Sequence, residues 1–209
     1  MTTEHEFDKW AANYDTSVTD EEGFPFAGYQ QILDTVRRSC DVSTEMTILD
    51  LGVGTGNLSQ RFVEDCSIVG VDISTEMLKR AAQKLPTIQL GQVDLLSETW
   101  PSILEQKFDR VVSSYVLHEF ETPNKITILQ RLAAQLSADG YFIIADIMYP
   151  NAEARAESRR RWADRWDDEF FWIIDEDEPA LNEAGFTTQF LQLSECGGVA
   201  IIRPPHNIN

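Results

Sequence analysis

The chain has 209 residues, 35 of them acidic and 17 basic, for a formal net charge of −18. With 43% hydrophobic and 10% aromatic residues it can build a full apolar core, so disorder is excluded as its overall state. Such an acidic surface repels phosphate backbones and anionic headgroups, so no nucleic acid and no membrane is expected as a partner.

The first 45 residues read as helical with a break. Phe7, Trp10, Ala11 and Tyr14 make an amphipathic stripe, as do Tyr29, Ile32, Leu33 and Val36, and 19–25 reads as a loop. From Thr47 short apolar runs alternate with helical stretches. Strands are expected at 47–51, 68–72, 88–93, 108–115 and 141–147. Helices are expected at 57–65, 75–84 and 125–136, with a short one at 100–104 and a turn at Asp139-Gly140. This alternation implies a mostly parallel sheet with helices on both faces. After Pro150, Trp162, Trp166 and Phe170 recur at helical spacing in a charged segment; they suit either a helix packed on the sheet or an aromatic wall over a ligand. A helix at 178–184 closes on Gly185, and the acids at 175–178 read as a solvated loop or helix start. Strands at 187–193 and 199–203 flank Cys196-Gly197-Gly198 as an antiparallel hairpin, making seven strands in one domain over 1–209.

Cys40, Cys66 and Cys196 are odd in number and widely spaced, with no CxxC, which suits a reducing cytoplasm. His5, His118 and His206 are far apart, so no metal site is expected. The start lacks the basic and apolar regions of a secretory leader, and no apolar run is long enough to span a bilayer.

The richest motif is Ile48-Leu49-Asp50-Leu51-Gly52-Val53-Gly54-Thr55-Gly56-Asn57, between a strand and a helix. Its GxGxG spacing differs from the dinucleotide GxGxxG, since Asn57 follows Gly56, and no Gly-Lys-Ser/Thr of a P-loop follows. Asp50 at the strand end suits an ammonium better than a pyrophosphate. Asp72 ends the next strand, where a carboxylate accepts from a ribose diol, or caps the following helix, for which Ser74 is the better candidate. Asp94 ends the third strand and serves an exocyclic amine or a simple turn. Three acids thus meet at the edge where open α/β sheets bind ligands.

These residues resemble the class I S-adenosylmethionine-dependent methyltransferases. Leu49–Asn57 resembles that family's first motif, Val71–Leu78 its second, Gln92–Leu95 its third, and Phe108–His118 and Leu136–Phe142 its fourth and fifth strand segments. Phe7–Asp15 and Phe26–Leu33 are similar to the YrrT-like methyltransferases of Gram-positive bacteria. The resemblance implies a Rossmann-like methyltransferase fold, with 1–45 as a helical cap, and S-adenosyl-L-methionine as cofactor. It implies that Gly52, Gly54, Gly56 and Asn57 wrap the methionine portion and that Asp50 meets its ammonium, directly or through water. It assigns Asp72 to the ribose, Ile73 and Met77 to the adenine face, Asp94 and Leu95 to the adenine edge, and Ser114 to the neighbourhood of the sulfonium. Tyr14 and Tyr29 close the site or simply pack their helices. The acceptor is expected to be a small molecule. His118 is the candidate general base for an oxygen or nitrogen acceptor, or a structural loop histidine. Tyr115, Glu119, Asp146 and Tyr149 are further pocket candidates. Two other readings stand beside this one, a non-catalytic S-adenosylmethionine-binding protein and a nicotinamide-dependent oxidoreductase.

Overall fold

The computed structural model describes residues 4–19 and 22–205, the side chains of 4–6 excepted, so His206 and the His5 side chain lie outside the described residues. Two helices, α1 (Glu4–Ala11) and α2 (Tyr14–Ser17), precede α3 (Tyr29–Ser39), whose apolar face of Ile32, Leu33 and Val36 is buried. The alternating part follows as β1 (Thr47–Leu51), β2 (Ser67–Asp72), α4 (Thr75–Lys84), β3 (Gln89–Gln92), β4 (Phe108–Ser114), α5 (Thr122–Ala133) and β5 (Leu136–Tyr149). The chain then runs through α6 (Ala152–Arg161), β6 (Trp172–Ile173), α7 (Ile174–Glu183), β7 (Thr187–Gln192) and β8 (Gly197–Arg203). The main strand order is β3-β2-β1-β4-β5-β8-β7. All pairs through β5 are parallel, and β8 and β7 are antiparallel. The seven expected strands form this path, and the two-residue β6 pairs with the far end of β5 as an eighth.

Each face of the sheet has its own core. Leu49 and Leu51 of β1 point to the side of Ile128, Leu129 and Leu132 on α5; Ile48 points to the side of Ile32, Leu33 and Val36 on α3. That is the period-2 alternation of a strand covered on both faces. Between β1 and β4 the strand order reverses, and the crevice beyond the strands' C-terminal ends opens there.

Several expected elements change. The helix expected at 57–65 is only a 3-10 turn, Ser59–Arg61, set in irregular turns. Its side chains are spent on tertiary partners: Ser59 Oγ donates to Asp50, and Asn57 Nδ2 donates to Asp15. The turn expected at Asp139-Gly140 falls within β5, as a register break opposite Phe108 and Arg110. The Trp162–Phe170 segment is not helical, because α6 ends at Arg161. Arg159, Arg160 and Arg161 suit a helix C-terminus, whereas the acids at 164 and 167–169 would oppose the dipole if the helix continued. Trp162 instead packs over Gly23, and Trp166 stacks on Phe24 at 4.9 Å. The helix expected at 178–184 starts earlier, at Ile174. Its Asp177 is buried rather than solvated, accepting from Thr122 Oγ1 and from Ile173 N.

Candidate active site

A cavity of about 380 Å³ lies at the β1/β4 switch point. That volume is within the usual range for small-molecule sites. The glycine loop forms one wall. Gly52 (φ +71°) and Gly54 (φ +52°) take left-handed conformations that favour glycine. A Cβ on Gly52 would strike Val116, while one on Gly54 would meet nothing within 4 Å, so the backbone at Gly54 borders open space.

Asp72, Ile73 and Met77 come from the end of β2 and the start of α4; Val93, Asp94, Leu95 and Leu96 follow β3. Asp72 Oδ2 accepts from Gly54 N at 2.8 Å and Oδ1 from Ser74 N at 2.9 Å, which ties the loop to the next strand. Ser74 is the cap of α4, accepting from Met77 N, so Asp72 is not that helix's N-cap. Burial raises the Asp72 carboxyl above its ordinary value, opposed by these backbone N–H groups. Ser114, Tyr115 and Val116 line the wall from the end of β4, where Tyr115 sits at φ +58°. A tyrosine in that region stores strain of about 1–3 kcal/mol, a feature that gathers at ligand sites.

Of the residues singled out in the sequence, Tyr14, Gly52, Gly54, Asp72, Ile73, Met77, Asp94, Leu95 and Ser114 meet in this cavity. Gly56, Asn57, Tyr29, Asp50 and His118 do not line it. Asn57 belongs to a latch: Asp15 accepts from Thr55, Asn57 and Lys84, joining α2 to the glycine loop and α4. Tyr29 is 1% exposed and packs on Tyr115, with ring centres 5.4 Å apart. Asp50 is buried behind the loop. Its Oδ2 accepts from Ser59 at 2.6 Å, while Oδ1 has no protein partner. Burial pushes this carboxyl up to about 7, against the Ser59 bond and with help from Asp72. Phe7 and Trp10 also line the cavity. Their signal was present as the α1 stripe with Tyr14, but periodicity does not tell a core-facing stripe from a ligand-facing one.

His118 lines a second cavity of about 120 Å³, together with Glu119, Asp167 and Glu169. Phe7, Trp10, Tyr14, Tyr115 and Glu119 line both cavities, so the two adjoin. His118 Nδ1 lies 2.5 Å from Asp146 Oδ1, and Asp146 Oδ2 accepts from Trp172 Nε1 and from His118 N. Burial by itself would lower the imidazole's pKa, but Asp146, Glu169 and Glu119 together raise it to about 9. The ring therefore already carries its proton at neutral pH and is poorly suited to accept another. Glu169, 3.6 Å from Nε2, is pushed up to about 7, first by burial. His118, Glu119 and Glu169 place one ligand atom each within 4.8 Å of one another, close enough to share a cation.

Residues 43–185 match a methyltransferase-domain family, and the chain belongs to it. An "Uncharacterized methyltransferase" of Anoxybacillus flavithermus is 29% identical over 90% of this chain and 91% of its own length. The "Uncharacterized methyltransferase YrrT" of Halobacillus halophilus is 24% identical over 90% of this chain and 91% of its own. Among solved structures, the DhpI-SAH complex superposes with a TM-score of 0.76 at 16% identity, over 97% of this chain and 95% of that one. That likeness shows the shared Rossmann-like fold. The protein is a methyltransferase of the S-adenosylmethionine-dependent class that its motifs resemble.

Proposed function

We propose that the larger cavity binds S-adenosyl-L-methionine and that the methyl group passes to a small-molecule acceptor in the adjoining smaller cavity. The observation that carries this reading is the convergence, at one crevice, of the open glycine backbone and the strand-end acids Asp72 and Asp94. The residues fit the cofactor. The space at Gly54 admits a ligand against the backbone, and the orphaned Asp50 Oδ1 is a buried acceptor suited to an ammonium through a bridging water.

Asp72 accepts from the ribose hydroxyls with lone pairs not used by Gly54 and Ser74. Ile73 and Met77 pack on the adenine, with Asp94 and Leu95 at its edge. Ser114 and Tyr14 border the reacting centre. Gly56, Asn57 and Tyr29 act from behind, holding the loop and the cap in place. When bound, the cofactor supplies an electrophilic methyl on a sulfonium. The protein's part is to position the acceptor in line and keep water out. Trp10, Tyr14 and Phe26, which pack on one another, form an aromatic cover for that purpose.

Calorimetry with S-adenosylmethionine, S-adenosylhomocysteine and NAD tests the reading. The first two bind and NAD does not, because the loop lacks the glycine spacing of a dinucleotide site. Binding of NAD alone would overturn it.

A further inference from the structure

The smaller cavity has a chemistry of its own. Its walls are aromatic, from Trp10, Tyr14, Phe24 and Phe26 of the cap and Tyr115 at the end of β4. Its far end is acidic, with Glu119, Asp167 and Glu169 against His118 and Arg165. Resting on the donor reading above, we propose that this cavity takes a compact primary or secondary amine, its ring or chain between the aromatic faces and its N–H groups on Glu119 and Glu169.

Four observations support this. The space of about 120 Å³ is small beside the larger cavity, so only a compact group enters it. Four carboxyl groups, Asp146, Glu119, Asp167 and Glu169, stand at this end against two cations, His118 and Arg165, so the balance disfavours an anionic acceptor. One amine nitrogen offers several N–H donors to two carboxylates, whereas a hydroxyl offers one. Aromatic faces add cation–π attraction for an ammonium. Glu169 lines the cavity 3.6 Å from His118 Nε2, which puts a carboxylate beside the amine to take up its proton. In the balanced transfer the bound ammonium first gives one proton to the Glu169 carboxylate, which frees the nitrogen lone pair; that pair then forms the N–C bond as the sulfonium C–S bond breaks, and the C–S electron pair stays on sulfur. Glu169 sits in the non-helical segment after α6, so the arrangement depends on that segment packing on the cap through Trp166 and Phe24.

The test is calorimetry of benzylamine, phenethylamine, benzyl alcohol and benzoate against protein preloaded with S-adenosylhomocysteine, followed by transfer of labelled methyl from S-adenosylmethionine. The amines should bind at least about tenfold more tightly than the alcohol or benzoate, and should accept label. Glu169→Gln, at a residue that lines the smaller cavity and not the larger, should weaken amine binding by about tenfold and leave S-adenosylhomocysteine affinity unchanged. Amines binding no better than benzyl alcohol, or not at all at millimolar concentration, would overturn the proposal. So would tight binding of Mg²⁺, Mn²⁺ or Zn²⁺ that Glu169→Gln abolishes, since the cluster would then be a metal centre. Failure of S-adenosylhomocysteine itself to bind would sink the donor reading and this one with it.

Discussion

Asp72 does two jobs with one carboxylate. Its oxygens hold the backbone N–H groups of Gly54 and Ser74, and it lines the cavity where a ribose diol would sit. Asp72→Ala should therefore weaken S-adenosylhomocysteine binding by about 1.5–3 kcal/mol, roughly tenfold or more. It should also lower stability modestly, because two loop N–H groups lose their acceptor. Calorimetry and thermal unfolding check the two effects separately, and an unchanged Kd would leave Asp72 with a loop-holding role only. His118 gives a pH prediction. Its folded pKa of about 9 lies above the ordinary 6.5, so the pairing with Asp146 stabilises fully below 6.5 and is lost as pH rises through 9. His118→Gln should cost about 3–5 kcal/mol near pH 6, since Asp146 is left buried without its cation. Denaturant unfolding across pH should show the difference from wild type shrinking towards pH 9. A difference that stays constant or grows would refute the ion pair.

At the scale of elements, α1 and α2 are each tied to the sheet domain by an acidic side chain. Asp8 on α1 accepts from Ser74 Oγ and Glu76 N at the start of α4, and Asp15 on α2 accepts from Thr55, Asn57 and Lys84. The Asp15–Lys84 pair is partly exposed, so each latch is weak by itself, about 1 kcal/mol or less for the ion pair. Asp15→Ala should leave β1 to β5 intact but speed hydrogen exchange across residues 7–18 and weaken cofactor binding several-fold. Exchange confined to wild-type rates in the cap would show that the aromatic contacts of Trp10, Tyr14 and Phe26 hold it without the latch.

At the scale of the whole molecule, the net charge of −18 sets the kind of partner that approaches. Three of the four arginines of α6 are offset by acids. Arg155 and Arg159 pair with Asp168, and Arg161 pairs with Glu195. Gel-shift assays with tRNA and duplex DNA at low salt should show no tight binding, and salt-sensitive retardation of either would overturn the expectation of a small-molecule acceptor. No helix among the described residues is long and apolar enough to cross a membrane.

The sheet was legible because its signal is local. Thr47–Leu51 and Phe108–Ser114 are short segments built on Ile48, Leu49 and Leu51 and on Phe108, Val111 and Val112, and a strand buried on both faces has little alternative. The glycine loop and the acids ending β2 and β3 were legible for a related reason: parallel strands with one-way crossovers bring their C-terminal ends to one edge, so sequence order fixes their meeting. Contacts made across long sequence distances were not legible. The segment after Arg161 carries helical spacing in Trp162, Trp166 and Phe170, yet it leaves the helix to pack on Gly23 and Phe24 and brings Glu169 to His118. Local periodicity scores a face without naming its partner, and here the partner lies in the cap, far back in the chain. His118 shows the same division. The sequence determined that an imidazole follows β4 at the ligand edge; only the tertiary structure placed Asp146 against it, because the charge state of a buried group is decided by neighbours that burial brings together.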